Sequence, residues 1–397
     1  TLRTSTDTYK KDVTAPQSIT IFNGYSTSAK TAGIYTDTWY SYPKPYFNWT
    51  APYDGSSSVA SGVAGYYVYF GPDIAGEPVN YQTTATYEAS NLTSGSRYYF
   101  RIKTQDNAGN VSSTEAKFIY RYDNVAPNNP DPILGYNTSA KVVQLTTDTW
   151  YNYTSPYFEW VAPTDSIGIS GYSVYFGIDP AGEPSLSSFP SATTYTASSL
   201  SLGKTYYFRI KTKNIAGNVS AVETKFTYKY DRTVPSTPVV TVSPSGWTSN
   251  LTPTVEWSGV SDATPGSGIS SIEVRSTNTA WANFYSWQAA GSTAESGNIS
   301  PSAEGIPDGQ YYFQVRAKDA AGNAGAAGYS SGSWYKKDTK APPNPAPVKG
   351  HPSSADKLTN LISGSCYSYP SPNFNWTAPY DGSSSVASGV AGYYVNF

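Results

Sequence analysis

The chain repeats itself about every 110 residues, and this internal repeat constrains the fold more than any other feature. A Phe-x-Trp pattern followed by x-Ala-Pro begins at Phe47, Phe158 and Phe374, with a looser copy around Trp257. A later aromatic stretch is followed each time by Ala-Gly-Asn; its copies begin at Tyr98, Tyr206 and Tyr311. A period of this size matches one β-sandwich domain and indicates a tandem array.

The boundaries between the repeats carry their own marker, an Asp with Pro four residues later. The four copies begin at Asp12, Asp123, Asp231 and Asp338. They predict the last strand of a preceding domain at residues 1–12, whole sandwiches at 13–122, 123–230 and 231–337, and the first half of a fourth at 338–397. Because these joints are short and similar, we expect an extended chain of domains.

A longer period lies on top of this one. Residues 51–68 are identical to residues 378–395, whereas neighbouring repeats agree only in outline. The array therefore has a predicted period of three domains. Residues 341–397 supply only the first three strands of a sandwich, so we expect its order to depend on strands from outside these residues. Those strands belong either to a continuation of the polypeptide or to the next subunit of a head-to-tail fibre.

Composition agrees with an all-β fold and excludes several classes of function. The 37 Tyr, 33 Gly and 29 Pro residues, with no Met, favour short strands joined by tight turns. Charged residues make up 14% and the net charge is −2, so no field attracts nucleic acid or an anionic membrane. No apolar run approaches the roughly 20 residues of a spanning helix. The single Cys366 excludes a disulfide framework and a Cys-based zinc site, and this cysteine avoidance suits an exported bacterial protein.

Alternation along the strands predicts which side chains face the core. In the third repeat Glu273 and Arg275 alternate with Ile272 and Val274, so the equivalent Tyr66 and Val68 point inward. Tyr67 and Tyr69 then point outward. In the later aromatic stretch of each repeat, basic residues mark the outward face, so the residues that alternate with them face the core. These core residues are Tyr98, Phe100, Ile102, Tyr206, Phe208, Ile210, Tyr311, Phe313 and Val315.

These motifs resemble the fibronectin type III superfamily and its bacterial immunoglobulin-like relatives. The matching residues are Phe47-x-Trp49-x-x-Pro52-x-Asp54, Gly65-Tyr66-x-Val68, and Leu92-x-x-Gly95-x-x-Tyr98-x-Phe100-x-Ile102. The resemblance covers three whole repeats and half of a fourth. It implies all-β, tandem, seven-stranded antiparallel β-sandwiches, each with a core Trp and a Tyr that hydrogen-bonds back at the corner before the sixth strand.

Catalytic groups are sparse in this sequence. The one histidine, His351, has no counterpart in the other repeats, and we expect it in a solvated loop. The acidic residues are spread over repeat positions and are not paired within strands as glycosidase carboxylates would be. The sequence therefore predicts a protein that is not an enzyme.

The acidic residues at the joints are candidate calcium ligands. They are the boundary residues Asp12, Asp123, Asp231 and Asp338, and the hairpin residues Asp106 and Asp319 of the Asp-x-Ala-Gly-Asn loops. In the calcium-dependent bacterial immunoglobulin-like adhesins that the chain resembles, linker and loop carboxylates share Ca²⁺ and stiffen the joints. The alternative interpretation is turn chemistry, in which Asp begins a turn that Ala-Gly-Asn completes. The second repeat has Asn214 at the hairpin position, which favours that alternative.

The leading functional prediction is a structural or adhesive rod or fibre on a bacterial surface, outside the cell. Its expected partners are copies of itself, other surface proteins or glycans, with no nucleic acid and no membrane insertion. The alternatives are spacer or carbohydrate-binding modules of a large secreted polysaccharide-degrading enzyme, or a phage fibre. Fold alone does not choose between them, because this fold serves many functions.

Overall fold

The computed structural model describes residues 10–20, 22–55, 60–278, 286–294, 297–300, 303, 306–381 and 388–396. Those residues form β-strands and no helix, so none of them provides a helix that could cross a membrane. The fold is all-β and consists of sandwiches in tandem, as the sequence predicts.

Internal contacts divide the chain into two compact units. Unit 1 comprises Thr1–Asp148, Ser155–Ser199 and Tyr206–Tyr228, and unit 2 comprises Thr149–Thr154, Leu200–Thr205 and Lys229–Phe397.

Nine strands of unit 1 form the first sandwich. They are β1 (Phe22–Tyr25), β2 (Gly33–Ile34), β3 (Thr38–Tyr40), β4 (Tyr46–Trp49), β5 (Val63–Gly71), β6 (Asn80–Gln82), β7 (Thr86–Glu88), β8 (Ser96–Asp106) and β9 (Ala116–Tyr122). One sheet has the order β2-β1-β4-β7 and the other β3-β9-β8-β5-β6. This arrangement is an immunoglobulin-like sandwich.

One pairing differs from the antiparallel pattern that the resemblance implies. Strand β3 runs parallel to β9, with Thr38 opposite Tyr120. After β1 and β2 in one sheet the chain crosses to the other sheet, where β3 lies along β9, and it then returns to pair β4 with β1. The added strand pairs an edge that would otherwise expose unpaired backbone groups.

The core of the first sandwich confirms the predicted strand faces. Tyr66 and Val68 are buried, whereas Tyr67 is partly exposed. Phe100 is fully buried against Phe47 and neighbouring rings. All nine residues that the alternation assigns to the cores of the three repeats are buried. Period-two alternation is a reliable guide here because each sheet has one buried face.

The expected core Trp and corner Tyr are both present. Trp49 packs edge-on against Tyr66 with 5.2 Å between ring centroids. The Tyr98 hydroxyl accepts a 2.6 Å hydrogen bond from the Thr93 backbone N–H, which closes the corner before β8.

The second and third repeats continue the same pattern. Their strands are β10 (Ile133–Tyr136), β11 (Gln144–Leu145), β12 (Thr149–Tyr151), β13 (Tyr157–Trp160), β14 (Ile169–Gly177), β15 (Thr194–Thr196), β16 (Lys204–Asn214), β17 (Glu223–Tyr230), β18 (Val239–Ser243), β19 (Gly246–Thr248), β20 (Thr254–Ser258), β21 (Ile269–Asn278), β22 (Gln288–Ala289), β23 (Gly297–Ile299), β24 (Gly309–Asp319), β25 (Gly328–Tyr329) and β26 (Tyr335–Lys337). In unit 1, β13 lies between β10 and β15, and β14 pairs with β16. In unit 2, the sheets are β18-β20-β23 and β19-β26-β24-β21-β22, with β25 also on β24. Strand β19 is parallel to β26, as β3 is to β9.

The last segment contributes one pair of strands among the described residues. It contributes β27 (Val348–His351) and β28 (Asn373–Trp376), which pair with each other. Residues 388–396, the counterpart of the start of β5, form no strand. In the first sandwich β5 is held between β6 and β8, and this segment has no such neighbours among the described residues.

The expectation for His351 is wrong. It lies on β27 with 2% of its surface exposed, and its Nδ1 is 3.0 Å from the Thr359 carbonyl oxygen. Few of the residues next to His351 in the sequence are apolar, so the local pattern does not predict its burial. The burial depends on a loop that returns over β27.

Candidate metal centres at the domain joints

Three carboxylates meet where the leading segment joins the first sandwich. Asp12 lies in the linker, Asp54 in the loop after β4, and Asp106 at the end of β8. One oxygen from each lies within 4.8 Å of the others. Asp54 and Asp106 are buried, and Asp12 is partly buried. The loops at one end of the sandwich therefore carry a compact triad of acidic groups.

Backbone amides hold the first two members of this triad in place. Asp12 accepts hydrogen bonds from the Thr14 N–H at 3.0 Å and the Ser61 N–H at 2.8 Å. These bonds stabilise the carboxylate and lower the pKa of Asp12. Asp54 Oδ2 accepts from the Gly62 N–H at 2.6 Å. The loop before β5 thus ties the linker to the sandwich.

The third member, Asp106, is fixed by its own hairpin. Its Oδ1 accepts from the backbone N–H groups of Ala108 and Asn110, and its Oδ2 accepts from the Asn110 side-chain amide at 2.7 Å. Gly109 supplies a positive φ of 91° at the tip. These contacts are the turn chemistry expected from the sequence. They leave the carboxylate facing Asp12 and Asp54, so turn formation does not prevent ligation.

The same triad recurs in unit 2 as Asp231, Asp262 and Asp319, again with oxygens within 4.8 Å. Asp231 accepts from the backbone N–H groups of Thr233 at 2.9 Å and Ser267 at 2.7 Å. Burial opposes ionisation of Asp231, but these hydrogen bonds outweigh it and lower its pKa. Burial raises the pKa of Asp319, and the charges of Asp231 and Asp262 act in the same direction.

One oxygen in each triad is buried with no hydrogen-bond donor in the part of the chain that the structure describes. It is Oδ1 of Asp54 in the first triad and Oδ1 of Asp262 in the second. Asp54 as a whole is only 8% exposed. A buried carboxylate oxygen ordinarily finds a donor, because leaving it without one is costly.

The joint between the first two repeats is built differently, with an amide at the hairpin position. Asn214, which is fully buried, donates from Nδ2 to Asp123 Oδ2 at 2.9 Å and to the Val125 carbonyl at 3.0 Å. Asn218 donates to the same Asp123 oxygen at 3.0 Å. Asp165, the counterpart of Asp54, accepts from its own loop, at the Ile167 and Gly168 N–H groups. Direct hydrogen bonds therefore satisfy Asp123.

The fourth boundary repeats the linker contacts of the first. Asp338 accepts from the backbone N–H groups of Ser388 at 2.8 Å and Lys340 at 3.0 Å, which lower its pKa. Asp338 belongs to no triad among the described residues.

The structure thus brings together Asp12 with Asp106, and Asp231 with Asp319, four of the six candidates. It does not bring Asp123 or Asp338 into a carboxylate cluster within the described ranges. Sequence reasoning missed Asp54 and Asp262 as site residues. A signal existed, because every repeat has an Asp five residues after its core Trp: Asp54, Asp165, Asp262 and Asp381. Whether any of these residues binds a metal stays a prediction.

Comparison with known proteins finds relatives among bacterial polysaccharide-degrading enzymes. No protein-family model matches the chain. It is 33% identical to chitinase A1 of Niallia circulans over 174 residues, 42% of this chain and 22% of that protein. It is 28% identical to exoglucanase B of Cellulomonas fimi over 307 residues (75% and 24%), and 31% identical to exoglucanase A of that organism over 284 residues (69% and 27%). The chain thus spans about a quarter of the length of these relatives.

A search of solved structures finds the crystal structure of chicken CNTN1 FN1-FN3 domains. The TM-score is 0.30 at 16% sequence identity, covering 79% of this chain and 96% of that one.

Proposed function

We propose that this chain is a non-catalytic spacer of fibronectin type III-like modules within a bacterial, extracellular polysaccharide-degrading enzyme. The similarity to the exoglucanases supports this proposal. It extends over 69% and 75% of this chain but only about a quarter of each exoglucanase, as expected of modules that accompany other domains.

The chemistry of the acidic residues is consistent with a spacer. The clustered carboxylates that the structure describes lie in linkers and in loops at the end of a sandwich, and they are bonded to backbone amides, as at Asp12 and Asp231. A glycosidase instead needs two carboxyl groups that flank a substrate bond, about 5 to 9.5 Å apart and open to it. Closely packed triads with two of their three members buried are suited to holding loops together.

A second candidate is a structural or adhesive rod on the bacterial surface. It is supported by the identity of residues 51–68 with residues 378–395, since recent duplication of whole domains lengthens an array. In that case the partners are neighbouring copies, other surface proteins or glycans.

The complete coding sequence and its secreted product test the proposal. We expect a hydrolase domain on the same polypeptide. Deleting residues 13–337 should leave hydrolysis of a soluble oligosaccharide unchanged and lower hydrolysis of insoluble chitin or cellulose. A polypeptide of repeats with a surface anchor and no hydrolase domain would replace the proposal with the rod. Hydrolysis of chitin or cellulose by the chain alone would contradict both.

A further inference from the structure

We infer that the triads Asp12–Asp54–Asp106 and Asp231–Asp262–Asp319 are two calcium sites, and that the intervening joint at Asp123 is closed by amide hydrogen bonds and takes no cation. The inference concerns the joints themselves and is independent of whether the chain accompanies a hydrolase.

The spacing of the oxygens fits one bound ion. Oxygen ligands lie about 2.3–2.6 Å from Ca²⁺, so two ligands of one ion are at most about 5 Å apart. Each triad offers three carboxylate oxygens within 4.8 Å of one another. A single cation between them is therefore close enough for all three to coordinate it after small side-chain adjustments.

The buried Asp54 Oδ1 is the second observation that points to a ligand. Its partner oxygen is already bonded to the Gly62 N–H, whereas Oδ1 has no donor and no exposure to water. The equivalent atom of Asp262 is in the same position, beside an Oδ2 that accepts from the Gly268 N–H at 2.7 Å. A cation coordinated by this oxygen would supply the missing partner in both places.

The ligand set selects the class of metal. Each triad consists of carboxylate oxygens, hard ligands that suit Ca²⁺ and Mg²⁺ and are poor for thiophilic metals. Mg²⁺ requires near-ideal octahedral geometry, while Ca²⁺ accepts irregular coordination. Because three separate loops contribute to each triad, we assign Ca²⁺, with water completing the shell.

The Asp123 joint shows how the chain closes a joint without a cation. At the position of Asp106 and Asp319 this joint has Asn214. Its Nδ2 group donates hydrogen bonds to Asp123 and to the Val125 carbonyl, so N–H donors lie between these oxygens in place of a cation. The side-chain amide of Asn218 adds a second donor to Asp123. Hydrogen-bond donors on the chain itself thus stabilise the carboxylate.

The test is calcium titration of the full chain by isothermal calorimetry after treatment with a chelator. We expect two Ca²⁺ ions per chain, with dissociation constants on the order of 10⁻⁴ M or tighter. Magnesium should compete at least tenfold more weakly. The variants D54N and D262N should each remove one ion, and the double variant should remove both.

The matched control is D165N, at the equivalent position of the amide-closed joint. An Asn there still accepts from Ile167 and Gly168, so binding of two ions should persist. Circular dichroism in chelator checks that each variant is folded; because the single variants report by stoichiometry, the test stands even if the double variant unfolds. No binding at millimolar Ca²⁺, two ions bound to a folded D54N variant, or loss of an ion in D165N would each overturn the inference.

Discussion

The side-chain amide of Asn214 donates a 2.9 Å hydrogen bond to Asp123 Oδ2, at the position where two other joints set a carboxylate beside a carboxylate. With an amide at this position, hydrogen bonds from the chain satisfy Asp123. With an acid at the same position, the other two joints each hold a cluster of three carboxylates. The difference can be reversed by mutation in either direction.

The substitution Asn214→Asp should make the second joint depend on calcium. It removes the donors to Asp123 and Val125 and adds a buried like charge, so in chelator we expect a loss of about 2–4 kcal/mol in the stability of the surrounding unit. Calcium should restore part of this loss and raise the stoichiometry from two ions to three. Scanning calorimetry in chelator and in Ca²⁺ measures both effects.

The reciprocal variant Asp106→Asn serves as the control for that experiment. It should remove one calcium site and leave stability in chelator equal or higher, because the amide can donate to Asp12 as Asn214 does to Asp123. Loss of stability in Asn214→Asp without any recovery in Ca²⁺ would contradict the prediction.

Stability should fall steeply above pH 10 because of Tyr120. This side chain is fully buried and donates to the Tyr42 carbonyl at 2.6 Å. Burial, with the neighbouring tyrosines Tyr122, Tyr42 and Tyr40, raises its pKa far above 10. The unfolded chain then releases a proton that the folded chain retains, so the stabilisation present below pH 10 is lost as pH rises further. The slope is about 1.4 kcal/mol per pH unit for this one group.

Urea unfolding between pH 8 and pH 11 measures that slope. Tyr120→Phe should cost about 1 kcal/mol at pH 8, through loss of the bond to Tyr42, and make the alkaline fall shallower. Tyr35→Phe, which alters a ring that is 76% exposed, should leave the slope as it is. Equal slopes in the wild type and Tyr120→Phe would show that the group does not act in this way.

Removing the corner hydroxyl should loosen the start of β8. In Tyr98→Phe the Thr93 N–H loses its acceptor, at a cost of about 1–2 kcal/mol. Amides of β8 that exchange through opening of this sandwich should exchange roughly 5- to 30-fold faster. Hydrogen exchange with mass spectrometry gives the measurement. Tyr67→Phe is the control, since its contact with Tyr81 is between rings; similar exchange in both variants would refute the role of the corner.

Extending the last segment should order it. Tyr393 and Val395 are 41% and 69% exposed, whereas their counterparts Tyr66 and Val68, on β5 beside β8, are each 3% exposed. Appending the sequence of residues 71–122 after Phe397 supplies counterparts of β6 to β9, and burial of each side chain is worth about 1.5–3 kcal/mol. Amides of residues 390–396 should become protected from exchange.

An extension with Ala at the equivalents of Phe100 and Ile102 provides the control, because it adds the same length without the core side chains. Protection of residues 390–396 that is as strong with this control as with the intact extension would show that the core strand is not what orders them.

The sequence was sufficient for the array, the sandwich class and the strand faces. Repeats and period-two alternation are local patterns. In a sheet with one buried face, alternation assigns each side chain to the core or to solvent, as the burial of Tyr66, Val68 and Phe100 shows. The parallel pairing of β3 with β9 and the burial of His351 lay outside such reasoning, since both depend on where a chain segment returns.

The candidate metal sites were also predicted from the sequence only in part. The sequence identifies Asp12, Asp106, Asp231 and Asp319 as recurrent acids at joints, because linker and hairpin repeat in register. Only the tertiary structure adds Asp54 and Asp262, which come from a third loop, and shows that Asn214 bonds directly to Asp123. Distances between loops depend on how the two sheets pack and cross, and a linear pattern contains no measure of that distance.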